Sequence, residues 1–226
     1  MKNGLFRERV AGRDEPQPAY VSWDRPATPG PDLPLGESLA RCARFFWAGL
    51  SRHGQTGGIV PSQRFLIEKM IAPVPVNYPG LVVELGAGTG VLTVRLATRC
   101  CKARIIACEI NPVLARDTEA LLANAGVDGN VRVANEPAEA LLSRLSARPK
   151  GRPDFIISGI PLGNLRRDAA LELIDAIHGA LPDGGLYIQF QYSFLDREKV
   201  RSRFRHLTTV PALLNFPPAF VYYARK

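Results

Sequence analysis

The stretch from Leu81 to Gly90, which reads Leu-Val-Val-Glu-Leu-Gly-Ala-Gly-Thr-Gly, constrains the fold more than any other part of this chain. Its apolar half predicts a buried strand, and the glycines at 86, 88 and 90 predict a tight turn into a helix that begins near Val91. Glycine has no Cβ, so the backbone of such a turn can come close to a bound ligand. The stretch therefore predicts a strand, a glycine loop and a helix that together can hold a nucleotide-like ligand.

Two acidic residues accompany the glycine loop. Glu84 stands directly before the glycines, where its carboxylate can reach a cationic amino group of a ligand. Glu109 ends the next apolar run, Arg104 to Cys108, and an acid at the end of a second strand can accept hydrogen bonds from ribose hydroxyls. Because two acids accompany the loop and the loop has no basic residue, a pyrophosphate ligand is disfavoured.

Strand and helix patterns alternate along the rest of the chain, which predicts an α/β fold with a mostly parallel sheet and helices on both faces. The predicted strands are Leu81 to Leu85, Arg104 to Cys108, Val131 to Ala134, Phe155 to Ser158, Leu186 to Phe190, His206 to Val210 and Ala219 to Arg225. The predicted helices lie near Phe65 to Ile71, Val91 to Ala97, Leu114 to Ala125, Ala138 to Leu145 and Ala169 to Leu181.

Composition predicts one globular domain with an amino-terminal arm. The chain has 226 residues, of which 46% are hydrophobic and 22% charged, as in ordinary globular proteins. Residues 1–35 are rich in proline and predict a flexible arm. We expect residues 36–75 to form a helical extension that contacts the membrane or covers the substrate, and residues 76–226 to form the α/β domain.

Within that extension, Glu37 to His53 places apolar residues at helical spacing, which predicts an amphipathic helix. Its basic residues and the successive rings of Phe45, Phe46 and Trp47 suit a helix that lies in a membrane interface. Packing of the same helix on the core or over the ligand is the alternative interpretation.

The segment Glu84-Leu-Gly-Ala-Gly-Thr-Gly90 resembles the first motif of Rossmann-like S-adenosylmethionine-dependent methyltransferases, and Glu109 resembles their ribose-binding acid. Over residues 40 to 226 the chain also resembles the bacterial phospholipid N-methyltransferases, which methylate phosphatidylethanolamine. The blocks that carry this second resemblance are Ala43-Arg-Phe-Phe46, Gly58-Ile-Val-Pro-Ser62, Ser158-Gly-Ile-Pro161, Tyr187-Ile-Gln-Phe-Gln-Tyr192 and Asn215-Phe-Pro-Pro-Ala219.

The resemblance implies a seven-stranded sheet whose last strand is antiparallel, with S-adenosylmethionine as cofactor. The residues expected to hold the cofactor are Glu84, Gly86, Gly88, Gly90, Glu109, Glu136 and Ser158. The third motif departs from the class, because Asn135-Glu-Pro-Ala138 stands where a Gly-Asp-Ala is usual. Glu136, Glu139 or backbone groups are therefore all open as contacts of the adenine.

The acceptor side of the site is expected at Ser158-Gly-Ile-Pro161. Adenine N-methyltransferases carry an aromatic residue directly after the corresponding motif, whereas this chain has Leu162. A flipped base would lose a stacking contact worth roughly 1 to 3 kcal/mol, which argues against nucleic acid as the substrate. We predict that Ser158 and Pro161 shape the acceptor pocket, and the resemblance implies that Tyr192 contacts the reacting amine.

The net charge and the cysteine content limit the kinds of partner that this chain can have. The formal charge of +8 predicts an anionic partner, and the basic stretch from Asp196 to Lys226 suits an anionic membrane, nucleic acid phosphates or plain solvated surface. The four cysteines, Cys42, Cys100, Cys101 and Cys108, have no metal-site spacing, so we expect reduced thiols and no bound metal.

No stretch approaches the roughly 18 to 20 apolar residues of a membrane-spanning helix, and no cleavable leader is evident at the amino terminus. We therefore expect a cytoplasmic enzyme that binds peripherally to the inner face of the membrane. Its predicted substrate is an aminolipid, phosphatidylethanolamine in the first place. Ornithine lipid and RNA are the alternatives, and the oligomeric state is left open.

Overall fold

The computed structural model describes residues 61–148, 150–214 and 218–226. The predicted arm at residues 1–35 and the predicted amphipathic helix at Glu37 to His53 lie outside the described residues, as do residues 215–217 of the last resemblance block. The described helices are α1 (Pro61–Ile71), α2 (Val91–Arg99), α3 (Pro112–Ala125), α4 (Ala138–Ser146), α5 (Arg167–Ala180) and α6 (Arg197–Arg201). The described strands are β1 (Leu81–Leu85), β2 (Arg104–Cys108), β3 (Val131–Ala134), β4 (Phe155–Ser158), β5 (Leu186–Gln191), β6 (His206–Ala212) and β7 (Ala219–Arg225).

The strands form one sheet in the order β3-β2-β1-β4-β5-β7-β6. Strands β1 to β5 are parallel, whereas β7 runs antiparallel to both of its neighbours. This architecture confirms the predicted α/β fold with a seven-stranded, mostly parallel sheet. The chain reverses its direction across the sheet between β1 and β4, and ligands of such sheets bind beyond the carboxyl ends of the strands at this point.

Continuous apolar runs form the central strands because helices cover both faces of the sheet. Helices α4, α5 and α6 pack on one face, where Leu142, Leu173 and Tyr187 are among the buried side chains. Helices α1 and α2 pack on the other face, against residues such as Ile105 and Ile188. Two hydrophobic cores therefore hold the sheet, and the strand ends and their loops remain at its edges.

The element boundaries differ from the sequence prediction mainly toward the end of the chain. Strand β5 continues to Gln191 and β6 to Ala212, because both pair with β7 over their full length. Pro211 is tolerated within β6 because β6 is the edge strand of the sheet. The short helix α6 was not predicted, since its basic residues were interpreted as a contact with a membrane or with phosphates, or as solvated surface.

In the part of the chain that the structure describes, no helix has both the length and the hydropathy needed to cross a bilayer.

Candidate active site

The glycine loop between β1 and α2 adopts the left-handed conformation that its sequence predicts. Gly86, Gly88 and Gly90 have φ angles of 76°, 59° and 77°. The backbone N–H of Gly86 donates to the carbonyl oxygen of Cys108 at 2.8 Å, which ties the loop to the end of β2. From α3, the hydroxyl of Thr118 donates to the carbonyl oxygen of Gly88 at 3.0 Å. The loop is thus fixed from two sides, and its backbone is free of side chains where a ligand can approach.

Glu84 is a buried acid at the end of β1. Thr93 Oγ1 donates to Glu84 Oε2 at 2.6 Å, and no ion pair to this carboxylate occurs among the described residues. Burial raises the pKa of Glu84 to about 8; the Thr93 hydrogen bond opposes that shift, and the charge of Glu109 adds to it. A buried carboxylate of this kind fits a ligand that brings its own cationic amino group.

Glu109 is buried at the end of β2 and links the glycine loop to α3. Its Oε2 accepts from the N–H of Gly88 and its Oε1 accepts from the N–H of Asn111, both at 2.8 Å. Asn135 Nδ2 donates to the main-chain oxygen of Glu109 at 2.8 Å and so fixes the backbone of this acid. Each carboxylate oxygen can accept a further hydrogen bond, which suits the ribose hydroxyls of a nucleoside.

Of these groups, Gly86 and Glu109 border a crevice beyond the carboxyl ends of β1 and β2. The crevice encloses about 310 Å³, part of which is open to solvent. Its lining consists of Gly86, Cys108, Glu109, Ile110, Glu136, Ala138 and Ile160. The structure therefore brings together Gly86, Glu109 and Glu136 of the predicted cofactor set, and the mainly apolar walls fit a planar base.

Glu136 borders the crevice but already has a basic partner. Its carboxylate accepts two hydrogen bonds from Arg144, one of them to Oε1 at 2.7 Å and the other to Oε2. A contact between Glu136 and adenine would have to share or replace this ion pair, so its role stays a prediction. Burial raises the pKa of Glu139, the other candidate acid.

The turn after β4 is held by side chains from β5. Ser158 is buried, and its hydroxyl accepts from the N–H of Ile160 at 3.2 Å and hydrogen-bonds with Tyr187. Tyr187 in turn donates to Gln189 Oε1 at 2.6 Å, and Gln189 Nε2 donates to the carbonyl oxygen of Ile160 at 3.0 Å. The hydroxyl of Ser158 thus shapes the turn from inside, and a direct contact with substrate or cofactor stays a prediction.

Pro161, Leu162 and Tyr192 occupy distinct places on the acceptor side. Pro161 precedes a short 3₁₀ turn, Leu162–Asn164, and the Leu162 side chain is buried in the core. Tyr192 directly follows β5, is partly exposed, and packs edge-on against Phe190 with 5.7 Å between ring centroids. Since β4 and β5 are parallel neighbours, Pro161 and Tyr192 lie at the same edge of the sheet.

Sequence reasoning missed Gln189 and Tyr187 as residues that organise the site. Their alternation within Tyr187-Ile-Gln-Phe-Gln-Tyr192 was the available signal, because a polar residue in a buried strand usually serves a hydrogen bond. Over the described residues, no group of three or more His, Cys, Asp or Glu side chains could hold a metal ion. Cys100, Cys101 and Cys108 are free thiols, and Cys42 lies outside the described residues.

Comparison with known proteins identifies the class. Residues 82–185 match the family model described as "Methyltransferase domain". A curated ornithine lipid N-methyltransferase from Singulisphaera acidiphila is 29% identical over 181 residues, which cover 77% of this chain and 91% of that protein. A ribosomal RNA small subunit methyltransferase C from Salmonella arizonae is 32% identical over 124 residues, and this chain spans 34% of its length. The solved N-methyltransferase NodS from Bradyrhizobium japonicum, in complex with S-adenosyl-L-homocysteine, has a TM-score of 0.56 at 14% identity; the match covers 80% of this chain and 98% of that one.

Residues 82–185 therefore carry a methyltransferase domain within a Rossmann-like fold, and S-adenosylmethionine-dependent methyl transfer is confirmed as predicted. Within that class, the match along most of a lipid N-methyltransferase confirms the predicted resemblance to bacterial lipid N-methyltransferases and the predicted N-methyl transfer. The glycine loop, the mainly apolar crevice and Glu84, which has no cationic partner among the described residues, fit this cofactor.

Proposed function

We propose that this enzyme transfers a methyl group from S-adenosylmethionine to the headgroup amine of a membrane aminolipid. Phosphatidylethanolamine with its methylated intermediates, and ornithine lipid, are the two candidate substrates. The single observation that carries the proposal is an apolar rim of five exposed side chains beside the acceptor turn. The rim consists of Tyr192, Phe194, Leu195, Leu213 and Leu214, whose exposed fractions are 39%, 53%, 87%, 69% and 65%.

The rim lies at the catalytic edge of the sheet because of strand register. Gln191 at the end of β5 pairs with Phe220, and Ala212 at the end of β6 pairs with Ala219. The loops after β5 and β6 therefore emerge side by side, at the edge where β4 leads into Ser158 to Pro161. Large apolar side chains grouped on two neighbouring exposed loops mark an interaction surface, and a bilayer interface suits one beside a lipid-modifying site.

Basic residues follow the rim along the chain. Arg197 and Arg201 on α6 are partly exposed, although both also pair with Glu198, and Arg205 beyond the helix is exposed. Each basic residue near anionic headgroups contributes about 1 kcal/mol of attraction. The predicted amphipathic helix Glu37 to His53 would add a second membrane contact, and it remains a prediction.

The chemistry requires little beyond positioning. S-adenosylmethionine supplies a methyl group that its sulfonium already activates. The chain must align the amine nitrogen with the methyl carbon, so that the nitrogen–carbon bond forms as the carbon–sulfur bond breaks. It must also favour loss of a proton from an ammonium whose Lys-like pKa of about 10.4 makes the neutral form cost roughly 4 kcal/mol at neutral pH. In this proposal the Ser158 to Pro161 turn orients the amine, and Tyr192 relays its proton toward solvent.

The substrate class can be tested with labelled S-adenosylmethionine. The purified full chain would be incubated separately with vesicles that contain phosphatidylethanolamine, with vesicles that contain ornithine lipid, and with total RNA. We expect label in at least one of the lipids and none in RNA. Label in RNA together with unlabelled lipids would overturn the aminolipid proposal and favour a function like that of the ribosomal RNA relative.

Tyr192→Phe should lower turnover on the aminolipid by roughly 10- to 100-fold, because proton transfer by a positioned side chain contributes about that much or more. Affinity for the cofactor should stay unchanged, since only a hydroxyl is removed. Steady-state kinetics and calorimetry measure the two quantities. Pro161→Ala should act in the same direction by loosening the turn.

Tyr223→Phe is the matched control for Tyr192, because the Tyr223 hydroxyl donates to the main-chain oxygen of Lys69 in α1, away from the rim. If Tyr192→Phe kept full turnover, or if both variants lost turnover equally, Tyr192 would have no role in the acceptor site.

Leu195→Glu and Leu213→Glu should each weaken binding to anionic vesicles about tenfold, because one buried leucine is worth roughly 1.5 to 3 kcal/mol. Vesicle flotation is the measurement. Val76→Glu is the control, since Val76 is 61% exposed but precedes β1 and so lies at the opposite edge of the sheet. If the rim variants float like the wild type, membrane binding does not use this surface.

A further inference from the structure

Asp196 is a buried acid in the loop between β5 and α6. Its side chain is 2% exposed, and its Oδ1 accepts from Lys199 Nζ at 2.6 Å. Among the residues that the structure describes, its Oδ2 is buried and has no hydrogen-bond partner. Leaving a buried charged acceptor unsatisfied costs more free energy than a typical hydrogen bond contributes. The cost of this buried oxygen therefore calls for a structural or functional explanation.

Helix capping does not supply that explanation. Asp196 is the residue that precedes α6, but its side chain makes no capping hydrogen bond to the helix. The ion pair with Lys199 engages only Oδ1. Asp196 Oδ2 therefore takes no part in the contacts seen between this side chain and α6.

The unpartnered oxygen lies against the acceptor turn. A Cβ built on Gly163 would approach Asp196 Oδ2 to 3.1 Å, and Gly163 follows Pro161 by two residues. Burial is the main cause that raises the pKa of Tyr187 and of Tyr222, and the negative charge of Asp196 raises both further. Asp196 thus stands behind the turn that Ser158 and Tyr187 support.

Gln191 offers a complementary group nearby in the chain. It is the last residue of β5, its side chain is buried, and its Nε2 has no hydrogen-bond acceptor among the described residues. Side chains alternate along a strand, so Gln191 lies on the same face as Gln189, which donates to the carbonyl oxygen of Ile160 in the turn. The acceptor side of the site therefore has, within the described part of the chain, one buried donor and one buried acceptor that lack hydrogen-bond partners.

We propose that Asp196 and Gln191 recognise the two charges of a zwitterionic headgroup. Asp196 Oδ2 accepts a hydrogen bond from the ammonium, and Gln191 Nε2 donates to a phosphate or carboxylate oxygen of the same headgroup. Lys199 orients the carboxylate through Oδ1. The inference rests on the proposed aminolipid function. In it, these two residues bind the headgroup while its nitrogen is still protonated.

Asp196→Asn tests the assignment, because it removes the charge and keeps the shape. With dihexanoyl phosphatidylethanolamine, a short-chain substrate that avoids the membrane step, KM should rise roughly 10- to 100-fold, as expected for the loss of a charged hydrogen bond. Affinity for S-adenosylhomocysteine, measured by calorimetry, should remain unchanged. Asp175→Asn is the matched control, since the exposed Asp175 pairs with Arg203 and its replacement removes the same charge.

A binding preference separates recognition from a structural role. The wild type should bind dihexanoyl phosphatidylethanolamine more tightly than dihexanoyl phosphatidylethanol, which lacks the ammonium, and Asp196→Asn should lose that preference. Gln191→Met offers a second variant and should weaken the binding of both lipids.

The outcomes keep the two proposals apart. If the wild type methylates no aminolipid, the proposed function fails, and this inference fails with it. If the wild type methylates the short-chain lipid but folded Asp196→Asn and Gln191→Met keep its KM and preference, the recognition site is wrong and the function stands. Should Asp196→Asn fail to fold, an unchanged KM in Gln191→Met is sufficient to overturn the site.

Discussion

Gly86→Val should reduce affinity for S-adenosylmethionine at least 100-fold, a loss of roughly 3 kcal/mol, which is the upper range for overpacking a fitted space. Gly86 borders the crevice, and its Cβ would approach Ile160 Cγ1 to 3.2 Å before the two valine methyl groups are added. These methyl groups would occupy space that the cofactor needs. Calorimetric titration of the folded variant measures the loss.

Gly126→Val controls for backbone strain. Gly126 has a φ of +65°, close to the +76° of Gly86, but an added Cβ meets no atom within 4 Å, and the residue lies at the end of α3. Both variants should lose thermal stability through the left-handed conformation, whereas only Gly86→Val should lose the cofactor. Wild-type affinity in a folded Gly86→Val protein would move the cofactor out of this crevice.

The parts of the fold that were predictable are those whose signals are local. Apart from Glu84 in β1 and Arg104 in β2, these two strands are apolar because a parallel sheet buries both of their faces, and their predicted limits match the structure. The positive φ angles at Gly86, Gly88 and Gly90 follow from glycines in a turn between a strand and a helix.

The hydrogen bonds within the site were not predictable, because they join distant parts of the chain. The pattern around Ser158 did not indicate that Ile160 and Tyr187 engage its hydroxyl from inside the protein. Asp196 was grouped with a basic surface stretch, yet it is buried with one oxygen against Gly163. Neither the spacing nor the hydropathy of the residues indicates which distant strand or turn will contact these side chains.

Glu84→Gln should stabilise the cofactor-free protein at pH 8 to 9 and leave its stability unchanged near pH 4. The folded protein holds the Glu84 proton up to about pH 8, whereas an unfolded chain releases it near the ordinary pKa of about 4.3. The folded state therefore binds more protons between these values, so wild-type stability falls as pH rises through that window. A glutamine does not titrate, so above this window the variant should be more stable than the wild type by about 5 kcal/mol. Chemical unfolding at both pH values measures the difference, with Glu119→Gln, on the exposed surface of α3, as the control.

The same variant should bind S-adenosylmethionine at least tenfold more weakly, because a neutral amide oxygen makes only an ordinary hydrogen bond to the cofactor's amino group where the carboxylate makes an ion pair. Since that cation favours the ionised form of Glu84, wild-type binding at pH 7 should release a proton, and calorimetric enthalpies should depend on the ionisation enthalpy of the buffer. Proton release should disappear in Glu84→Gln. If the variant gained stability at high pH but kept wild-type affinity, Glu84 would not contact the cofactor. The cofactor's amino group would then need another partner at the crevice.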